Sequence, residues 1–369
     1  MSLAVALVGV KMNFVRTFAA VVVALSVCVT AAPAATPAKR VNLAQLARTL
    51  VKAGAPGALV YVRTPTAARA GTAGFADVSA HATMRAGYRW RIASVTKAFV
   101  ATVVLQLEAE GKLDIGDPVE RWLPGLVPNG GAITLRELLN HTSGLYNYTD
   151  DNDWITAVVA NPMRPWSPRE LIAIGLTHPA LFPPGANWSY SNTNYILLGL
   201  VVEAATVSSL ADELQRRIFM PLALGSTSFP QTIMLAPDFV HGYFGEPLTD
   251  VAPLLSPSWA WAAGGIVSNA RDVTTFYRAL LTGRLLPVRQ LNEMKVAAPV
   301  AGTYGLGISS TFTICGRAFG HDGDFFGWRT EVLATASGRR EAVVMVNVND
   351  RFVPWARLAA NTKTALCRG

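Results

Sequence analysis

"RWRIASVTKAFVATVVLQLEAEGKLD", residues 89–114, decides how the rest of the chain is read. Arg89 to Ala93 is extended or irregular, and a helix begins near Ser94. Between Lys97 and Glu110 the apolar positions Phe99, Val100, Val103, Val104 and Leu107 have the spacing of an amphipathic helix, which Gly111 stops. The first turn of a helix offers unpaired N–H groups and the positive end of its dipole. Ser94 and Lys97 lie three apart, so they share a face and the lysine can reach back to the hydroxyl. A lysine desolvated in a cleft has a lowered pKa and can act as base for a serine nucleophile. The same four residues also describe a serine N-cap followed by a surface lysine. The choice depends on what the chain supplies elsewhere.

On the N-terminal side, "GALVYVRT" (57–64) and "RAGTAGFADV" (69–78) read as a hairpin turning near Pro65-Thr66. On the C-terminal side, helix-periodic segments broken by Pro, Gly, Asn and Asp continue to about residue 300. Among them are "PRELIAIGL", "YILLGLVVEAATV" and "ARDVTTFYRALLTGRL". Then "YGLGISSTF", "FFGWRTEVLATAS" and "EAVVMVNVN" read as strands, and "WARLAANTKTALC" closes as a helix. Strands at both ends with helices between them predict an α+β fold. The N- and C-terminal strands share one antiparallel sheet, flanked by helices, with a mostly helical lobe inserted. The sheet lobe takes about 40–95 plus 300–369, and the helical lobe about 96–299, within a single domain over 35–369.

The N-terminus has the three parts of a secretion signal over residues 1–34. Lys11 and Arg16 come first, an apolar run from Phe18 to Val29 follows, and Ala32-Pro33-Ala34 supplies small residues for cleavage. The run is shorter than the roughly 20 residues a spanning helix needs, so a retained anchor is the weaker alternative. Val27 is too bulky for a lipidated Cys28. A secreted, extracellular location is therefore expected. With Cys28 removed, Cys315 and Cys367 are left as an even pair in an oxidising compartment. One disulfide between them is expected, two buried thiols being the alternative. The formal charge of +8 comes from scattered residues with no basic run, so nucleic-acid binding is not expected. A solvated surface suited to an anionic cell wall fits better.

Two further stretches bear on Ser94. In "NWSYSNTNYILLGLVVE", Tyr190-Ser191-Asn192 follows Pro183-Pro184-Gly185 where a loop enters a helix. Tyr190 supplies a second proton-transfer group and Asn192 an amide that can orient a substrate. A core tyrosine with Asn192 as helix cap is the plain alternative. In "RAFGHDGDFFGWRTEV", His321-Asp322-Gly323 stands at the edge of a strand, where glycine permits close backbone approach. Asp-Gly is equally a turn signal. His141 in "LLNHTSGLYNY" reads as a helix-to-loop transition, and His81, His178 and His241 are isolated, with no metal-ligand spacing. No cofactor or metal is expected, and the lack of a Gly-x-Ser-x-Gly elbow argues against an α/β-hydrolase.

In this order and at these separations, the three motifs resemble those of the penicillin-recognising serine acyl-enzymes. The variant is similar to the branch of class C β-lactamases, Streptomyces-type D-alanyl-D-alanine carboxypeptidases and their esterase relatives. The resemblance runs from about residue 40 to 367 and includes "PPGANWSYSNTNYILLGLVVE" and "SWAWAAGGIVSNARDV". It implies that Ser94 is acylated, that Lys97 shares the proton transfer, and that Tyr190 carries the proton to the leaving group and activates water. It gives Asn192 the substrate's amide and places the oxyanion between the backbone N–H groups of Ser94 and Asp324. Gly323 lets a substrate approach that strand closely, His321 lends positive or hydrogen-bonding character, and Trp259 lines the cleft. The implied protein is a monomer that acts on peptidoglycan-type D-alanyl-D-alanine peptides and is acylated by β-lactams. An esterase or weak β-lactamase of the same family, and a non-catalytic penicillin- or peptidoglycan-binding module, are the alternatives.

One departure bears on the substrate. In the carboxypeptidase branch the middle of the third motif is usually Thr, whose hydroxyl helps to bind a terminal carboxylate, and this chain has Asp322, with Asp324 two residues on. The arginine that assists in the family has no counterpart in "GISSTFTIC". Two acidic groups should repel a carboxylate unless Arg329 neutralises one or stands in for that cation.

Overall fold

The computed structural model describes residues 40–233, 236–349 and 352–369. The leader expected over residues 1–34, with Cys28, lies outside them. Strands β1 (Gly57–Arg63), β2 (Ala68–Asp77) and β3 (Ala82–Thr83) come from the N-terminal part. Two short ladders lie mid-chain: β4 (Trp90–Arg91) pairs with β7 (Val267–Ser268), and β5 (Tyr243–Phe244) with β6 (Thr249–Asp250). Strands β8 (Ser309–Thr313), β9 (Gly316–Phe325), β10 (Trp328–Thr335) and β11 (Glu341–Val346) follow. The main sheet has seven strands in the order β3-β2-β1-β11-β10-β9-β8, all antiparallel. The strands from the two ends meet at its centre, with Ala58 opposite Val346 and Arg63 opposite Glu341. This is the expected α+β arrangement.

Twelve α-helices occur among the described residues: α1 (Leu43–Lys52), α2 (Thr96–Ala109), α3 (Val119–Trp122), α4 (Leu135–Leu139), α5 (Asn152–Ala160), α6 (Pro168–Leu176), α7 (Asn192–Thr206), α8 (Leu210–Leu214), α9 (Trp261–Gly264), α10 (Ala270–Leu281), α11 (Val288–Lys295) and α12 (Trp355–Arg368). Side chains alternate across a strand, and β1 uses both faces. Ala58, Val60 and Val62 pack with Leu43 and Leu50 of α1 and Leu358 and Leu366 of α12. Leu59 and Tyr61 join the larger core that holds Phe99 and Phe276. A strand covered twice reads as a continuous apolar run, hence "GALVYVR". Each large aliphatic side chain so buried contributes about 1.5–3 kcal/mol. The Val41 amide donates to the Arg368 carbonyl at 2.8 Å, so the two ends of this body touch.

Helix α2 corrects the sequence reading. A one-sided stripe was expected, yet every residue from Thr96 to Leu105 is buried. Helices α7 and α9 pack against it, and the Phe99 ring stacks on Phe276 of α10 at 3.6 Å. A helix enclosed on all sides needs no polar face. Lys97 thus stands inside the protein. The Cys315–Cys367 disulfide joins the β8–β9 turn to the end of α12, with Cα atoms 5.5 Å apart.

Candidate active site

Strand β4 delivers the chain to Ser94. The Ile92 amide donates to Ile266 at 3.1 Å, and the backbone then turns sharply at Ala93, whose φ is +52°. A non-glycine residue there is held under strain by its surroundings, a condition that gathers at functional sites. Ser94 follows in a 3₁₀ turn, Ala93–Val95, and is partly exposed. The N-cap of α2 is Val95, with no side-chain cap bond, so Ser94 is not the helix cap.

Lys97 Nζ lies 3.0 Å from Ser94 Oγ, 2.7 Å from Asn192 Oδ1 and 2.7 Å from the Ala263 carbonyl oxygen. Burial pushes its pKa well below the ordinary lysine range, and the negative charge of Asp322 pulls weakly the other way. A neutral amine has two N–H groups and one lone pair. Asn192 Oδ1 and the Ala263 carbonyl can only accept, so they take the two protons. The lone pair is left for Ser94, the one partner that can donate.

Tyr190 comes in from the loop before α7. Its hydroxyl hydrogen-bonds Ser94, and Lys97 Nζ stands 4.8 Å from its ring centroid. Burial raises the Tyr190 pKa well above normal, so it stays protonated. Asn192 opens α7; its amide N–H is capped by Asn147 Oδ1 at 2.9 Å and its Nδ2 donates to Thr149 at 3.1 Å. One Nδ2 hydrogen remains for a ligand.

The third motif lies on β9. Strand β8 pairs β9 only as far as Gly320, so among the described residues the span 321–325 has a strand partner on its β10 side alone. Its free edge faces the turn at Ile92–Ser94, where Gly323 makes the close contact. His321 is buried. Its Nδ1 lies 2.5 Å from the Asp322 carbonyl, which can only accept, so Nδ1 carries the proton. Burial lowers its pKa and leaves the ring neutral, so Nε2 accepts from the Tyr304 hydroxyl at 2.8 Å. His321 therefore brings hydrogen bonding and no positive charge. Trp259 is nearly buried against Phe325 of β9, ring centroids 4.4 Å apart, and forms the wall beside that strand.

Asp322 and Asp324 project from the face of β9 opposite Gly323. Asp322 pairs across the ladder with Glu331 and shares a cavity of about 270 Å³ with Trp355 and Ala356 of α12. Arg329 Nε lies 3.3 Å from Asp324 Oδ2, which resolves where that arginine goes. Asp322 has no Lys or Arg within ion-pairing distance among the described residues, and its nearest basic atom is Nδ1 of the neutral His321, at 3.7 Å. It lies off the Ser94 face, but its charge is felt at Lys97 and Tyr190.

Ser94, Lys97, Tyr190, Asn192, His321 and Gly323 thus converge on one cleft from three parts of the chain. Sequence reasoning did not single out Asn147, Thr149, Tyr195 or Tyr304. The first two sit at the end of "LLNHTSGLYNYT", a stretch read only as a helix-to-loop transition.

The β-lactamase family model matches residues 43–365. A D-stereospecific amidohydrolase from Streptomyces sp. has a similar structure, with a TM-score of 0.78 and 37% identity over 86% of this chain and 98% of that one. The D-amino acid amidase from Ochrobactrum anthropi SV3, complexed with L-phenylalanine amide, also scores 0.78, at 26% identity over 88% and 96% of the two chains. The D-aminopeptidase of Brucella anthropi is 28% identical over 284 residues, 74% of this chain and 52% of that protein. The chain spans about half the length of the curated relatives it matches. From its family match and the residues gathered around Ser94, the chain is a serine hydrolase of the β-lactamase family.

Proposed function

We propose that this enzyme cleaves the amide bond of D-amino acid derivatives through an acyl-enzyme on Ser94. The observation that carries the chemistry is the fully buried Lys97 with its Nζ 3.0 Å from Ser94 Oγ, where burial favours the neutral amine. Lys97 takes the Ser94 proton as Oγ attacks the carbonyl carbon. The tetrahedral oxyanion is held by the backbone N–H groups of Ser94 and Asp324. The protonated Tyr190 gives its proton to the leaving nitrogen, the C–N bond breaks, and the acyl group stays on Ser94. Water, deprotonated by the same pair, then hydrolyses the ester. Asn192 and the free edge of β9 orient the acyl portion. Expulsion of an amine requires a proton donor, and a tyrosine kept neutral by burial fits that role.

Two features support the substrate class. The similar structures include a D-stereospecific amidohydrolase and a D-amino acid amidase. Asp322, on the far face of β9, adds a negative charge felt at Lys97 and Tyr190 with no Lys or Arg paired to it among the described residues, which favours a substrate with a free α-ammonium over one ending in a carboxylate. Hydrolysis of D-alanyl-D-alanine peptides, with acylation by β-lactams, is the second reading, favoured by the overall resemblance of the three motifs. Export with removal of residues 1–34 belongs to either proposal.

The test is to incubate the full chain and Ser94→Ala with D- and L-phenylalanine amide, an acyl-D-alanyl-D-alanine peptide, a nitrophenyl ester and a fluorescent penicillin. Release of ammonia from the D-amide, lost in Ser94→Ala, is the expected result. Cleavage of the peptide with no action on the amide would reverse the two readings. No turnover and no Ser94 adduct with any compound overturns both.

A further inference from the structure

His141 does more than end a helix. It follows α4 with φ +64° and is fully buried. Histidine is tolerated at positive φ better than most residues, but the conformation persists only where the surroundings impose it. Its backbone carbonyl accepts from the Ser189 amide at 3.1 Å, and its Nδ1 accepts from the Ser191 amide at 3.2 Å. These two bonds hold the chain on either side of Tyr190. The imidazole itself lies against the Tyr190 ring, centroids 4.3 Å apart, and Tyr195 and Tyr304 close the other sides at 5.4 and 4.8 Å.

From this placement we infer that His141 is the positioning residue for Tyr190. It fixes both the backbone and the ring plane, so that the hydroxyl stays on Ser94. This rests on the role given to Tyr190 under the proposed function and adds a residue that does not touch substrate. The ring works as a neutral acceptor. Burial, with Lys97 and His321 nearby, lowers its pKa well below normal, and the Ser191 N–H already points at Nδ1. The proton must then be on Nε2, which is buried and has no hydrogen-bond partner among the described residues. An orphaned polar atom in the interior costs stability. A residue chosen for packing alone would be apolar, so its retention fits a site that needs the Nδ1 acceptor.

Two variants separate acceptor from ring. His141→Ala removes both, whereas His141→Asn tolerates positive φ and places Oδ1 near the position of Nδ1. The expected result is a kcat loss of about 10²-fold in His141→Ala with KM little changed, the scale of a misplaced catalytic group. His141→Asn should recover at least about tenfold of that loss. In the Tyr190→Phe background, His141→Ala should cost no more than about threefold, because its effect passes through Tyr190. Equal losses in both backgrounds, or an unimpaired His141→Ala, would overturn the inference. Amide hydrogen exchange across residues 187–193 gives a readout that needs no substrate. It should quicken in His141→Ala and hold in His141→Asn, and unchanged exchange in His141→Ala defeats the inference even if the proposed substrate is wrong. A wild type inactive on every compound tested would count against the proposed function alone.

Discussion

A β-carbon on Gly323 would sit 2.3 Å from the Ile92 carbonyl oxygen and 3.1 Å from the Ala93 β-carbon. The free edge of β9 and the strained turn before Ser94 are in van der Waals contact, and only glycine fits between them. The proposed oxyanion site lies at this approach, so its geometry should be sensitive to one methyl group. Gly323→Ala should separate the two backbones and lower kcat/KM by about 10²–10³-fold, the effect of losing one oxyanion donor. Circular dichroism should still show the wild-type fold. Wild-type kinetics in Gly323→Ala would mean that the edge does not hold the oxyanion.

The buried Lys97 links activity to pH. The neutral form is the base, so acylation should rise with pH through the depressed Lys97 pKa and then level off. Stability follows the same group. Between that depressed value and the ordinary 10.5 the unfolded chain binds the proton and the folded chain does not, so the folded state gains as pH rises. Lys97→Met removes this dependence along with acylation. Thermal melts at pH 6 and pH 9 should show wild type gaining on Lys97→Met, by up to about 1.4 kcal/mol per pH unit inside the window. A constant gap would indicate that Lys97 is charged in the fold.

Asp322 should act through its charge. Its carboxylate favours the protonated form of Lys97, so Asp322→Asn should move the acidic limb of the kcat/KM profile to lower pH. The same variant should lose about 3–30-fold in kcat/KM for D-phenylalanine amide, with little change for its N-acetyl derivative. Asp322→Thr should improve cleavage of a peptide with a terminal carboxylate. Equal effects on charged and acetylated amides would remove Asp322 from substrate selection.

The Cys315–Cys367 bridge closes a loop with a sequence separation of 52. A loop of that size corresponds to about 4 kcal/mol of chain entropy in the unfolded state. The bridge lies at the far end of the β8–β9 hairpin, seven residues of strand from Gly323. Replacing both cysteines by serine should lower Tm by several degrees and leave kcat near the wild-type value. A large loss of kcat at a temperature where the variant is folded would show that the hairpin tip transmits to the site.

The strands and their sharing of one sheet were legible because each has a local signal, whereas Ser94, Lys97, Tyr190 and Asn192 stood out only through the order and separation of three motifs, each ambiguous by itself. The local signals are two-residue alternation and helix spacing. The solvent exposure of α2 was not legible, since a stripe of five apolar residues says nothing of what covers the remaining face; the small residues Ala98, Ala101 and Thr102 were the available hint. His321-Asp322-Gly323 was ambiguous for a related reason. Asp-Gly is a turn signal, but the chain turns four residues later at Gly327, whose φ is +90°, and β9 runs straight through the motif. Once the motif is strand, alternation sends Asp322 and Gly323 to opposite faces, which composition alone does not decide. Asn147 and Thr149 meet Asn192 across more than 40 residues of sequence, and only the closed tertiary structure brings them together.

The meeting of β1 and β11 at the centre of the sheet also sets the order in which the molecule can be made. The Gly57 amide donates to Asn347 Oδ1 at 2.6 Å across 290 residues. Closing a loop of that length costs about 5 kcal/mol in chain entropy. During synthesis the β1–β2 hairpin must wait with an open edge until the last strand has left the ribosome, a long exposure to mispairing. Circular permutation removes the delay: a short linker from residue 369 to residue 40, with new ends in the exposed loop after α5, would turn the most distant strand pair into a near neighbour. Such a chain should keep the Ser94 site and refold faster than the natural order of segments.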